Sequence, residues 1–127
     1  MTAIAMPSIA TPALRASAVR EAAVVTLRLE GTADLRVKES LDAILAAVHA
    51  AALGATTANV DVDLRQLEFM NSSCFKAFVT WIGRIQELDT KQRYHVRFLS
   101  DPAMLWQRRS LHALACFATD LIQIVTP

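Results

Sequence analysis

The stretch Leu64-Arg65-Gln66-Leu67-Glu68-Phe69-Met70-Asn71-Ser72-Ser73-Cys74-Phe75 constrains this chain most, because the hydrophobic period changes across it. Before it, over residues 58–64, Ala58, Val60, Val62 and Leu64 alternate with Asn59, Asp61 and Asp63. That two-residue period predicts a strand with one buried face. After it, Cys74, Phe78, Trp81, Ile85 and Leu88 recur at helical spacing, with Phe75 and Ile82 widening the stripe. Lys76, Thr80, Arg84 and Glu87 fall on the opposite side, as an amphipathic helix requires. Asn71, Ser72 and Ser73 sit at the join, and all three are residue types that cap helix N-termini. Adjacent hydroxyls therefore stand at the positive end of a helix, where free backbone N–H groups favour an anion.

The rest of the chain follows the same alternation. Residues 1–20 hold two of the four prolines and many small side chains without sustained periodicity. A loosely ordered N-terminal extension is expected there, ahead of one domain over residues 21–127. Residues 22–29 read as a strand with Val25, Leu27 and Leu29 inward; Gly31 breaks it, and residues 32–35 form a short second piece. Residues 37–52 read as a helix whose inner stripe is Leu41, Ile44, Leu45, Val48 and Ala52. Gly54 ends it at the place a C-terminal cap favours. Tyr94, Val96 and Phe98 mark a strand over 94–99, and Ser100, Asp101 and Pro102 precede a helix over 102–114, in the usual order of cap residue and helix-starting proline. A last strand spans 121–125.

This order predicts an α/β fold with right-handed crossovers and a mixed, largely parallel sheet of four to five strands. A sheet buried on both faces would not alternate polar with apolar residues, so the helices should pack on one face. Thr26, Arg28, Asp61, Asp63, His95 and Arg97 would populate the other. There opposite charges on neighbouring strands contribute about 0.2–1 kcal/mol per pair.

Composition narrows the function. The 127 residues are 54% hydrophobic but only 6% aromatic, so the core is aliphatic. Thirteen basic side chains against twelve acidic give a net charge of +1, which makes no electrostatic case for nucleic acid or an anionic membrane. No apolar run approaches the roughly 18 residues of a bilayer span, and the N-terminus lacks the pattern of a signal peptide. Cys74 and Cys116, both in apolar periodic segments, read as buried thiols in a reducing cytoplasm. A soluble cytoplasmic protein is expected.

The strand followed by "DLRQLEFMNSSCFKAFVTWI" resembles the signature of the STAS domain, the fold of the bacterial anti-sigma factor antagonists. Members typically read an apolar strand ending in Asp, an apolar-polar loop, Asp-Ser-Ser-Gly, then an apolar helix. Asp63 matches the strand-ending Asp, and Leu67, Phe69 and Met70 match the loop. Ser72 falls on the serine that the family's partner kinase phosphorylates, with Ser73 as second choice. Asn71 stands where Asp is usual and Cys74 where Gly is usual. The resemblance in element order runs over residues 22–126.

It implies a binding module and not an enzyme. Unmodified protein would capture an anti-sigma factor that is itself a serine kinase, phosphorylation of Ser72 would release it, and a separate phosphatase would reset the switch. The partner surface would include the loop 66–70, with Gln66, Glu68 and Met70, then Asn71, Ser72, Lys76 and Thr80. A homodimer stays open, and no cofactor is implied. A second reading keeps the fold but not the switch. The chain is then a non-phosphorylated STAS scaffold in a stress-sensing particle or a lipid-transport ATPase complex, and Asn71 and Cys74 favour it.

A third reading, a small enzyme, finds no site. His49, His95 and His112 lie on different elements, the first and last on helix surfaces, and no spacing resembles a zinc site. Gly31, Gly54 and Gly83 form no phosphate-cradling loop. Asp61 and Asp63 read as an ion-pair face. Trp106 with Arg108 and Arg109 reads equally as an interface or as core plus surface charge.

Overall fold

The computed structural model describes residues 4–5, 8–54 and 59–126, Ile4 and Ala5 by backbone alone. Ala58, expected to open the central strand, Pro127, and parts of the expected extension lie outside the described residues. The elements run β1 (Ile4–Ala5), β2 (Ile9–Ala10), β3 (Leu14–Glu21), β4 (Val24–Ala33), α1 (Lys38–Gly54), β5 (Asn59–Met70), α2 (Ser72–Gln86), β6 (His95–Leu99), α3 (Leu105–Phe117) and β7 (Ile122–Val125).

They form one sheet in the order β1-β3-β4-β5-β6-β7, with β2 on the same edge of β3 as β1. The sheet is thus six positions wide rather than four to five. The antiparallel pairings lie at the N-terminal side, β1 and β2 with β3 and β3 with β4. From β4 to β7 every pairing is parallel. Each of those crossovers carries a helix and advances one position the same way. Right-handed crossovers then place all three helices on one face, as expected.

The added width comes from residues expected to be a loose extension. Leu14, Ala16 and Ala18 are buried while Arg15, Ser17 and Val19 are exposed, and β3 pairs with β4 from Leu14↔Gly31 to Glu21↔Val24. A two-residue turn joins them, with Ala22 at φ 55°. Turns of this length take positive φ because their twist matches the strands, and Gly or Asn normally supplies it. Gly31 does not end β4. At φ +105° it sits in a bulge, where a Cβ would run into the carbonyl oxygen of Ala13, and β4 continues to Ala33 beside a register shift against β5.

The core joins Val25, Leu27, Leu29, Val60, Val62, Leu64, Val96 and Phe98 of the sheet to the helices. The predicted stripe of α1, Leu41, Ile44, Leu45, Val48 and Ala52, is buried, as are Cys74, Phe78, Trp81, Ile82 and Ile85 of α2. α1 ends at Gly54, as anticipated. On the open face, the register aligns Thr26, Asp61 and Arg97, and beside them Arg28 and Asp63. Arg97 grips Asp61 with two hydrogen bonds of 2.7 and 2.9 Å. Asp63 is buried against Arg65 at 2.8 Å and Arg28 at 3.4 Å. The Arg65 hydrogen bond holds its carboxyl below the usual range.

Two further expectations change. The predicted loop 66–70 is strand: β5 runs to Met70 and pairs Gln66, Leu67, Phe69 and Met70 with Glu30, Gly31, Thr32 and Ala33. α3 begins at Leu105 rather than at residue 102, because Asp101 folds residues 101–104 into a turn, accepting the Ala103 N–H at 2.9 Å. Its inner face is Gln107, Leu111 and Leu114, so Leu105 is exposed and Cys116 faces outward instead of being a buried thiol. Trp106 is half-buried and packs against the core, whereas Arg108 and Arg109 are exposed.

Candidate functional site

The strand-to-helix join is built by Asn71. Its backbone N–H continues the β5 ladder to the Ala33 carbonyl at 2.9 Å, and its extended backbone (φ −76°, ψ 171°) turns the chain into α2. Its side-chain oxygen accepts the Cys74 N–H at 2.9 Å, and its carbonyl accepts the Phe75 N–H at 2.9 Å. The capping thus falls to Asn71 and to neither serine. Ser72, the first residue of α2, is exposed, and its hydroxyl makes no hydrogen bond among the described residues; Ser73 is half-buried. The first N–H groups of a helix have no intrahelical acceptor and carry its positive partial charge. No acidic residue stands in the first turn of α2 to oppose an anion there.

Cys74 explains its own presence. It is fully buried, and its thiol donates to the Asp34 carbonyl at 3.3 Å. It thereby ties the start of α2 to the short 3-10 turn Leu35–Val37, which Asp34 caps by accepting the Arg36 N–H at 2.9 Å. Burial pushes the thiol pKa up, with the Asp34 carboxylate adding to the shift. The group stays protonated and serves packing.

Ser72, Lys76 and Thr80 are exposed on successive turns of one face of α2. Lys76 and Thr80 line a groove of about 490 Å³ between α1 and α2, shared with Lys38, Asp42, Leu45 and Arg84. Lys38 is held by Asp42 at 2.7 Å. Near the join, Glu68 is exposed and Met70 is half-buried against the core. Gln66 is exposed but stands apart, because a strand rise of about 3.3 Å per residue puts it about 13 Å back from Met70.

Two apolar side chains near the join stand free of the core. Leu35 is 68% exposed and Phe69 49% exposed, flanking the join on the turn after β4 and at the end of β5. Phe69 belongs to the stretch 66–70 already expected in the partner surface, whereas Leu35, expected in the short extended piece 32–35, stands in the 3-10 turn Leu35–Val37 and was not anticipated there. Also missed was Gln107, wholly buried, whose amide donates to the carbonyls of Leu64 at 2.6 Å and Leu67 at 3.0 Å. Its oxygen accepts the Asp101 N–H at 2.9 Å. Pairing with β6 stops at Asp63, so these β5 carbonyls need another donor, and Gln107 supplies it.

His49 lies apart from the join and is not a free surface histidine. Its Nδ1 is 2.6 Å from the hydroxyl of buried Tyr94, which also accepts the Trp81 indole N–H at 2.8 Å. Burial lowers the His49 pKa, helped by Arg84, and raises that of Tyr94.

No helix among the described residues is long and apolar enough to cross a membrane. No protein-family model and no curated protein matches the chain. Among solved structures, it is similar to an anti-sigma factor antagonist from Mycobacterium paratuberculosis, with a TM-score of 0.65 and 16% sequence identity, over 91% of this chain and 90% of that one. The fold of this chain is STAS-like.

Proposed function

We propose that this chain is a regulatory protein–protein interaction module, an anti-sigma factor antagonist-like switch whose partner binding is turned off by phosphorylation of Ser72. The observation that carries the reading is the division of labour at the join. Asn71 does the capping, so the Ser72 hydroxyl is exposed and free of any structural duty. A phosphate adds about −1.5 to −2 charges. At this helix end the dipole and the bare N–H groups stabilise it, and Lys76, one turn on, adds a cation on the same face. The fold therefore survives modification. A partner seated over Ser72, with Leu35 and Phe69 as apolar anchors, would have to desolvate a dianion, and binding fails.

The partner surface comprises Glu68, Met70, Asn71, Ser72, Lys76 and Thr80, with Gln66 at its margin. The partner is an anti-sigma factor-like serine kinase, and a phosphatase reverses the mark. Phosphopeptide mass spectrometry on the protein recovered from its own cells, across growth and stress, tests this. Phosphate on Ser72 that changes with condition is the expected result, with Ser72→Asp weakening partner binding by at least about ten-fold, or 1.4 kcal/mol. A Ser72 peptide fully covered and never phosphorylated overturns the switch and leaves the constitutive scaffold.

A further inference from the structure

The outer face of α3 carries a ligand pair that the switch does not use. Cys116 and His112 are both exposed, four residues apart, with the Cys116 Sγ 3.7 Å from the His112 Nε2. Residues four apart share a helix face, so this pair, which completes no zinc-site spacing in the sequence, is brought within chelating reach by the helix, as paired helical ligands are. The separation matches a specific bite. Zinc–sulfur and zinc–nitrogen arms of about 2.3 and 2.0–2.1 Å at a tetrahedral angle span about 3.6 Å.

A second observation favours a cation. Cys116 lies in the last turn of α3, which contains no basic residue, and the carbonyls of a helix C-terminus carry negative partial charge. Arg108 and Arg109 share a surface hollow with His112 and oppose a cation there, whereas Cys116 lies outside that hollow, about two turns beyond them. Cys74 offers no such site, being buried and committed to the Asp34 carbonyl.

We propose that His112 and Cys116 form an open surface chelate for a borderline-soft divalent cation of the zinc class. Metal binding replaces the thiol proton: the S–H bond breaks, an S–metal bond forms, and one proton is released to water. Two coordination positions remain for water or a further ligand. Both side chains are exposed, so the site is reached without opening the core.

The test is Co²⁺ titration of the full, tag-free, reduced chain, read by the thiolate-to-metal charge-transfer band. One Co²⁺ per chain, displaced by Zn²⁺, is expected. Cys116→Ser should abolish the band and Cys74→Ser should keep it. His112→Ala should weaken binding by about ten-fold or more, because the second ligand no longer acts at high effective concentration. Circular dichroism checks that the exposed substitutions leave the fold intact. Absence of the band, its survival in Cys116→Ser, or wild-type affinity in His112→Ala overturns the proposal.

Discussion

At the residue scale, Asn71 and Ser72 are adjacent and chemically alike, yet the fold uses only one of them. Asn71 accepts the Cys74 N–H, so Asn71→Ala should cost about 1 kcal/mol. Ser72→Ala removes an exposed hydroxyl with no bond and should stay within about 0.5 kcal/mol of wild type. Denaturant midpoints at constant m-value check both. Equal losses would mean that the serine shares the cap and would remove the main support for its being free to carry phosphate. The sequence put three capping residue types in a row and so could not say which one caps. That choice depends on where β5 stops, and the Ala33–Asn71 hydrogen bond sets it through pairing with a distant strand. The exposure of Leu35 was similarly hidden, because it depends on a turn capped by its neighbour Asp34.

At the scale of elements, the helices were legible and their fastenings were not. Periodicity gave the inner stripes of α1 and α2, since burial of an apolar face is what a 3.6-residue period records. In α3 the buried face joins Leu111 and Leu114 to a glutamine that no hydrophobic count would select. Gln107 joins α3 to two β5 carbonyls and to the Asp101 N–H. Gln107→Leu keeps the volume but strands these buried groups, at a cost of about 1–3 kcal/mol for each one left unsatisfied. Equilibrium denaturation reads this; a loss below about 1 kcal/mol would show that water replaces the amide. The tie of His49 on α1 and Trp81 on α2 to Tyr94, the residue before β6, is sensitive to pH. Burial lowers the His49 pKa, so on acidification the unfolded chain takes up this proton before the folded one. The stability it contributes is fully present above the ordinary histidine value of about 6.5 and falls away below it. In His49→Gln this part of the pH dependence should vanish. An unchanged stability profile between about pH 5 and pH 7 in that variant, the range around the ordinary histidine value, would assign the loss to other groups.

At the scale of the whole molecule, the parallel half of the sheet was readable and the antiparallel half was not, for a physical reason. Parallel strands joined by helices announce themselves through a change of period, as at residues 58–88. β3 is built from Leu14, Ala16 and Ala18 against Arg15, Ser17 and Val19, an alternation whose inward members are mostly alanine. Alanine is depleted in strands because it packs little surface, so the pattern was faint. The Ala22 turn also lacks the Asn-Gly or Gly signal that reveals a hairpin. Yet β3 pairs with β4 from Val24 to Gly31, and without it β4 becomes an edge with unpaired N–H and C=O groups and uncovered Val25, Leu27 and Leu29. Long apolar edges template association. Removing residues 1–21 should therefore lower stability sharply and drive the remaining chain into aggregates at micromolar concentration, whereas removal of a loose extension would change neither. Thermal unfolding and light scattering of the truncated chain distinguish these outcomes. A monomer with wild-type melting temperature would mean that β4 can close the sheet alone and that the domain begins near residue 21 after all.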